Sequence, residues 1–212
     1  MPIGRLHVLT DFHFQQRFSH ADLARLALAG GADTIQFRQK IGSVRDLLAG
    51  LRPTVTACRE AEVPLLVDDH LTLALAVEAD GVHLGQSDLP IAEARAVLDR
   101  CPGHTRLLGA TATTVAQARE AEAAGADYIG FGPVFATQSK ANPAPVKGLA
   151  GLEAVCDAVQ IPVIAIAGIT PERVRLVLGA GAHGVAVMTA ISTAEDPRTA
   201  TAAFRDAIAQ WR

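Results

Sequence analysis

Four stretches of the chain repeat one design: the end of an alanine-rich helix, small residues, a polar residue, then a strand. They read "AGGADTIQF", "EADGVHLG", "AAGADYIGFG" and "GAGAHGVAVM". Their polar residues are Asp33, Asp80, Asp127 and His183, separated by 47, 47 and 56 residues. Forty-seven residues hold two βα units of ordinary size, so the repeat marks alternate strands: two, four, six and eight. The extra nine residues in the last interval coincide with "ATQSKANPAPV", a polar, proline-broken loop after strand six. The strands themselves read "LHVLTD", "TIQFRQ", "PLLVDD", "GVHLGQ", "RLLGAT", "YIGFGPVF", "PVIAIAG" and "GVAVMTA". Amphipathic stretches between them supply the crossovers that parallel neighbours require. The pattern predicts an α/β fold, a closed (β/α)8 TIM barrel in one domain over residues 1–212. A flavodoxin-like open sheet is the alternative, and five strands would have sufficed to build it.

Composition narrows what such a barrel can bind. Half of the 212 residues are hydrophobic and only 4% aromatic, with a formal net charge of −3. Neither a basic stripe nor an aromatic platform is present, which argues against nucleic acid as a partner. The apolar runs are too short for a membrane span. "MPIGRLHVLT" lacks a charged segment followed by an apolar one, so no signal peptide is expected. Cys58, Cys101 and Cys156 are odd in number and never in a C-x-x-C pair, which suits free thiols in a cytoplasmic protein.

Active sites of TIM barrels sit at the C-terminal ends of the strands. Strand two exits through Gln36, Arg38 and Lys40, strand three through Asp68, Asp69 and His70, and strand four through Gln86 and Asp88. Strand five ends in Thr111, and strand six leads to Thr137, Ser139 and Lys140. In "AIAGITPERV", Gly168 lets backbone approach a ligand, while Thr170 and Pro171 read as the start of a helix whose N–H groups favour an anion. A phosphate between the loops after strands seven and eight is expected there, with "VMTAI" as its second half. Asp69 and Asp88 leave neighbouring strands and together can share Mg²⁺. Each alone can instead cap the helix that follows it. Asp68, by strand alternation, should point away from Asp69. Arg38 and Lys40 alternate with Phe37 and Gln39 and would neutralise a diphosphate. Lys140 reads as a contact from a lid loop. His83 and His183 read as structural.

The blocks "IQFRQK", "LLVDDHLTLALAVEADGVHLGQSDLP", "DYIGFGPVFATQSK" and "PVIAIAGITPERV" occur in this order. With them, the chain resembles the thiamine phosphate synthases (thiamin-phosphate pyrophosphorylases) almost end to end. That family joins an aminopyrimidine methyl diphosphate to a thiazole ethyl phosphate, so the resemblance implies these two small molecules as partners and Mg²⁺ as cofactor. It implies that Gln36, Phe37, Arg38, Gln39 and Lys40 hold the pyrimidine diphosphate, with Asp68 near the pyrimidine and Thr111 and Lys140 on the same substrate. Arg38, Lys40 and Lys140 would be the catalytic cations. Asp69 and Asp88 would be the metal ligands. Thr137, Gln138 and Ser139 would meet the thiazole, and Gly168, Met188 and Thr189 its phosphate. A homodimer is compatible with this sequence.

Several positions depart from the family's pattern. Thr111 and Thr189 replace serines and Ser139 a threonine, so all keep a hydroxyl. Ala136 stands for a common proline, Ala167 for the first glycine of a Gly-Gly pair, and Thr113 where histidine is frequent. Asp68 replaces asparagine and brings negative charge beside a diphosphate. A thiazole tautomerase, or a non-catalytic barrel that binds a thiazole or thiamine phosphate, remains the alternative, as does a Schiff-base aldolase using Lys140.

Overall fold

The computed structural model describes residues 3–11, 13–101, 103, 107–137 and 145–211. Eight parallel strands close in sequence order into a barrel. They are β1 (Leu6–Thr10), β2 (Thr34–Phe37), β3 (Leu65–Asp68), β4 (Gly81–Leu84), β5 (Leu107–Ala112), β6 (Tyr128–Phe131), β7 (Val163–Ile166) and β8 (Gly184–Val187). The barrel shuts where Leu6 of β1 registers with Val185 of β8. The open-sheet alternative is thereby excluded, and the (β/α)8 expectation is borne out. β6 stops at Phe131, short of "YIGFGPVF", because Pro133 has no N–H to offer a ladder.

Helices α1 (His20–Gly30), α2 (Val44–Glu60), α3 (Leu71–Ala76), α4 (Ile91–Arg100), α5 (Val115–Ala123), α6 (Gly148–Cys156) and α7 (Pro171–Gly179) return the chain between strands. A short α8 (Thr189–Ser192) follows β8, and α9 (Pro197–Ala209) completes the outer ring. Ser19 and Ser43 start α1 and α2 through side-chain caps, the second as a reciprocal capping box with Asp46. No helix among the described residues is long and apolar enough to cross a membrane.

Strand alternation sorts the barrel into two cores. Val8, Ile35, Val67, Val82, Leu108 and Ile129 face outward into the layer beneath the helices. Leu9, Leu66, Leu107, Tyr128, Ile164 and Ala186 pack inside the lumen. The repeated aspartates explain the two-unit rhythm. Asp33 accepts the Leu6 N–H at 2.8 Å, Asp80 the Leu65 N–H at 2.8 Å, and Asp127 the Leu108 N–H at 2.7 Å. Each fixes the start of the odd strand beside its own. His183 breaks the series: its Nε2 meets the Ile3 carbonyl at 2.9 Å across the β8–β1 closure. It is structural, as its sequence position implied.

The lumen has room for bulky polar residues because neighbouring positions lack side chains. A Cβ on Gly109 would lie 2.2 Å from the Tyr128 ring, and one on Gly130 would lie 2.8 Å from His83 Cε1. Tyr128 is fully buried. Gly109→Ala is therefore expected to overpack the lumen and cost about 1–3 kcal/mol of stability, measured by denaturant unfolding. An unchanged midpoint would show that Tyr128 has space to yield.

Candidate active site

A cavity of about 710 Å³ opens at the C-terminal ends of the strands. Its floor is a hydrogen-bonded chain that sequence reading missed. His7 Nε2 lies 3.1 Å from the Gly4 carbonyl, and the Gln36 amide nitrogen lies 3.0 Å from His7 Nδ1 and 3.3 Å from the Tyr128 hydroxyl. His83 continues it, with Nδ1 2.8 Å from that hydroxyl and Nε2 2.9 Å from Thr111 Oγ1. Burial holds the His7 pKa down to about 3, so the ring is neutral. One tautomer then satisfies it: Nε2–H donates to Gly4 and Nδ1 accepts from Gln36. A chain of this kind fixes the Gln36 and Thr111 side chains at the cavity floor.

The charged wall comes from β2, β3 and β4. Gln36, Arg38 and Lys40 line the cavity on alternate positions, but Phe37 and Gln39 do not. Phe37 faces the outer core, its ring 4.2 Å from that of His20, and Gln39 Oε1 is 3.1 Å from His20 Nε2. Period-two alternation sends both outward, so they support α1 instead of facing a ligand. Arg38 forms an ion pair with Asp11, whose other oxygen accepts the His13 N–H at 2.6 Å. Asp11 is only 3% exposed, so this pair is rigidly seated behind the wall.

Asp69 pairs with Lys40. Burial alone would raise its pKa, yet the Lys40 hydrogen bond and charge bring it below the usual carboxylate value. Asp88 Oδ2 accepts the Gly85 N–H at 2.6 Å and closes the turn after β4. Its pKa is raised, by burial first and then by the Asp69 charge. Neither residue caps a helix: the N-cap of α3 is His70 and that of α4 is Pro90, both without side-chain caps. The turn after β4 thus presents a carboxylate, Asp88, that faces Asp69 across the mouth.

Asp68 does not point away from its neighbour. It follows Leu66 into the lumen, and Asp69 also reaches the cavity because its φ of 66° breaks strand alternation. Asp68 is 8% exposed and its Oδ1 has no hydrogen-bond partner among the described residues. Burial, then the Asp69 charge, pushes its pKa up to about 7 against the pull of Arg38 and Lys40.

The opposite wall is built from β6 to β8. Thr111, Thr137, Gly168, Met188 and Thr189 all line it or the floor. Ala167 and Gly168 both take positive φ, 83° and 65°, which folds the β7 exit tightly over the β6 loop. A Cβ on Gly168 would lie 2.5 Å from the Ala136 carbonyl, so glycine is required. Thr170 is the N-cap of α7, with Pro171 in its first turn. Thr113 also lines the cavity, its hydroxyl 3.0 Å from Gln117 Oε1. Gln138, Ser139 and Lys140 lie outside the described residues.

One cavity therefore joins a wall of paired cations and carboxylates to a wall of glycine, hydroxyls and a helix start. The family model described as thiamine monophosphate synthase matches residues 6–191. The chain belongs to that family. It is 61% identical over 206 residues to the thiamine-phosphate synthase of Salinibacter ruber, covering 97% of this chain and 89% of that protein. The thiamine-phosphate synthase of Methanoculleus marisnigri is 45% identical over 204 residues, covering 96% and 95%. Thiamine phosphate pyrophosphorylase from Pyrococcus furiosus is similar in structure, with a TM-score of 0.87 at 38% identity over 97% of this chain and 96% of that one. A 3-hexulose-6-phosphate synthase, at 21% identity and a TM-score of 0.69 over 96% and 99% of the two chains, shares the fold alone.

Asp68 yields a stability test whose sign follows from linkage. The folded carboxyl keeps its proton to about pH 7, whereas its unfolded counterpart releases it near 3.8. The cost of burying the charge is full above about pH 7 and fades as pH falls toward 4. Asp68→Asn should therefore stabilise the fold at pH 8 by up to about 4 kcal/mol, from roughly three pH units at ~1.4 kcal/mol each. It should give little gain at pH 4.5 in denaturant titrations. Equal gains at both pH values would place the benefit elsewhere.

Proposed function

We propose that the chain is a thiamine-phosphate synthase, a transferase that joins a pyrimidine methyl diphosphate to a thiazole ethyl phosphate and releases diphosphate. The supporting observation is the single cavity in which Arg38, Lys40, Asp69 and Asp88 converge on one side and Gly168 with the start of α7 on the other. The first set suits a diphosphate with a metal ion, the second a phosphate monoester.

Asp69 and Asp88 fit Mg²⁺, which takes one or two carboxylates and fills its remaining positions with water and phosphate oxygens. Among the described residues, no group of three His, Cys, Asp or Glu side chains converges to hold a metal by itself. These two carboxylates would hold the ion, and when bound it would supply Lewis-acid stabilisation of the diphosphate leaving group.

The remaining work falls to the chain. Arg38, oriented by Asp11, presents a planar fork to phosphate oxygens, and Lys40, paired with Asp69, adds a second positive charge. As the carbon–oxygen bond to diphosphate breaks, its electron pair leaves on the diphosphate. The aminopyrimidine spreads the resulting methylene cation. Gln36, held by the buried chain through Tyr128 and His83, lies with Asp68 on the floor where that ring would sit. The thiazole nitrogen, positioned by its phosphate near Gly168, closes the new carbon–nitrogen bond. No protein nucleophile or base takes part. Thr113 is turned to Gln117, so the tautomerase reading has no acid or base at that position.

The test is incubation with both substrates, with Mg²⁺ or with a chelator. Thiamine phosphate is expected only with Mg²⁺. Asp88→Asn keeps an acceptor for the Gly85 N–H and loses the charge. It should melt near the wild-type temperature while turnover falls at least about a hundredfold. Wild-type turnover in that variant at limiting Mg²⁺ would remove Asp88 from the metal site. Binding of the thiazole phosphate without turnover would favour the non-catalytic barrel.

A further inference from the structure

Three cations line the described part of the cavity: Arg38, Lys40 and Arg173. The first two are paired with carboxylates, Asp11 and Asp69. Arg173, in the first turn of α7, forms no salt bridge among the described residues. Its Nη1 donates to the Gly168 carbonyl at 2.6 Å, and its guanidinium lies over the Phe135 ring, 4.6 Å from the centroid. Both partners are uncharged. Only one of its five N–H groups is thus committed among the described residues.

Its position runs against helix electrostatics. The first turn of a helix carries partial positive charge and favours acids. Helix α7 carries Glu172 there, whose charge Arg173 feels. Glu172 is exposed and forms no salt bridge with it among the described residues, so the guanidinium keeps capacity for a further anion. Nothing in the packing of α7 demands it, for the residue is exposed at the cavity rim. Stacking on Phe135 and the bond to Gly168 nevertheless hold the plane of the guanidinium against the β7 exit. A fork held flat, with most donors uncommitted, is suited to a tetrahedral oxyanion.

We propose that Arg173 is a specificity-determining residue that clamps the phosphate monoester at the β7–β8 side of the cavity. It thereby selects phosphorylated thiazole and thiamine species over their free alcohols. The proposal rests on the functional reading above for the presence of that ester. It adds a charged, side-chain contact to a site whose other contributors, Gly168, Met188 and Thr189, are neutral. On the opposite wall the diphosphate answers to other cations, so Arg173 affects one substrate and not both.

Calorimetric titration of the full chain with thiamine phosphate and with thiamine tests this, since the two differ only by that phosphate. Wild type should bind the ester more tightly. Arg173→Ala should weaken the ester about tenfold or more while leaving thiamine within about twofold. Arg173→Lys should recover part of the loss, keeping charge without the fork. In steady state, Arg173→Ala should raise KM for the thiazole phosphate and leave KM for the pyrimidine diphosphate unchanged, which a general loss of structure would not do. If wild type prefers the ester and Arg173→Ala keeps that preference, the clamp is overturned while the phosphate site stands. If wild type shows no preference, the phosphate placement falls and the clamp with it. Failure to bind either compound overturns the thiamine reading and this proposal together.

Discussion

Every second residue of a barrel strand must fit a lumen shared with seven other strands, and polar residues survive there only if they satisfy one another. That constraint organises this protein. Glycines at 109 and 130 leave the space that Tyr128 and His83 occupy. Those two, with His7 and Gln36, form a continuous hydrogen-bonded path from the Gly4 carbonyl to Thr111. Removing any link would strand a buried donor or acceptor on either side, so the members stand or fall as a set. The floor beneath the ligand is therefore rigid for the same reason that the barrel is stable.

Above that floor the balance of charge is nearly neutral by construction. Arg38 answers Asp11, Lys40 answers Asp69, and Asp88 is tied to the backbone of its own turn. Pairing keeps the cations at the mouth in place before a ligand arrives, at the cost of cancelling part of their field. Asp68 is the exception among the acids, buried and with one oxygen lacking a partner among the described residues. Its elevated pKa keeps that exception tolerable near neutrality.

Much of this was legible in the sequence, because it depends on spacing. The 47-residue rhythm gave the barrel, and the strand exits gave Gln36, Arg38, Lys40, Asp69, Asp88 and Thr111 as cavity residues. The failures have local causes. Phe37 and Gln39 belong to the expected set only through the family resemblance to a contiguous block, whereas the alternation visible in the sequence sends them outward. Asp68 and Asp69 share the cavity because one residue adopts left-handed backbone, which no periodicity foretells for an aspartate. His83 reads as structural in a strand, and it is hydrogen-bonded as a core residue should be, yet it also reaches the cavity. Arg173 was hidden differently: its ring partner Phe135 and its carbonyl partner Gly168 meet only when β6 and β7 lie side by side.

The aspartates at the floor end of the even strands act as clasps. Each joins two successive βα units through backbone N–H groups, Asp33 taking Arg5 as well as Leu6. A carboxylate of α5, Glu122, reaches from the third pair to Gln160 and Ile161 before β7. The fourth position uses His183 to reach across the seam where the first and last strands meet. A barrel fastened this way has uneven seams: a splice between pairs leaves the three aspartate clasps whole, whereas a splice inside any of the first three pairs cuts one open. The natural modules for shuffling this scaffold are accordingly quarter-barrels, with the seam at His183 and the Glu122 contact before β7 as the joints that must be refitted.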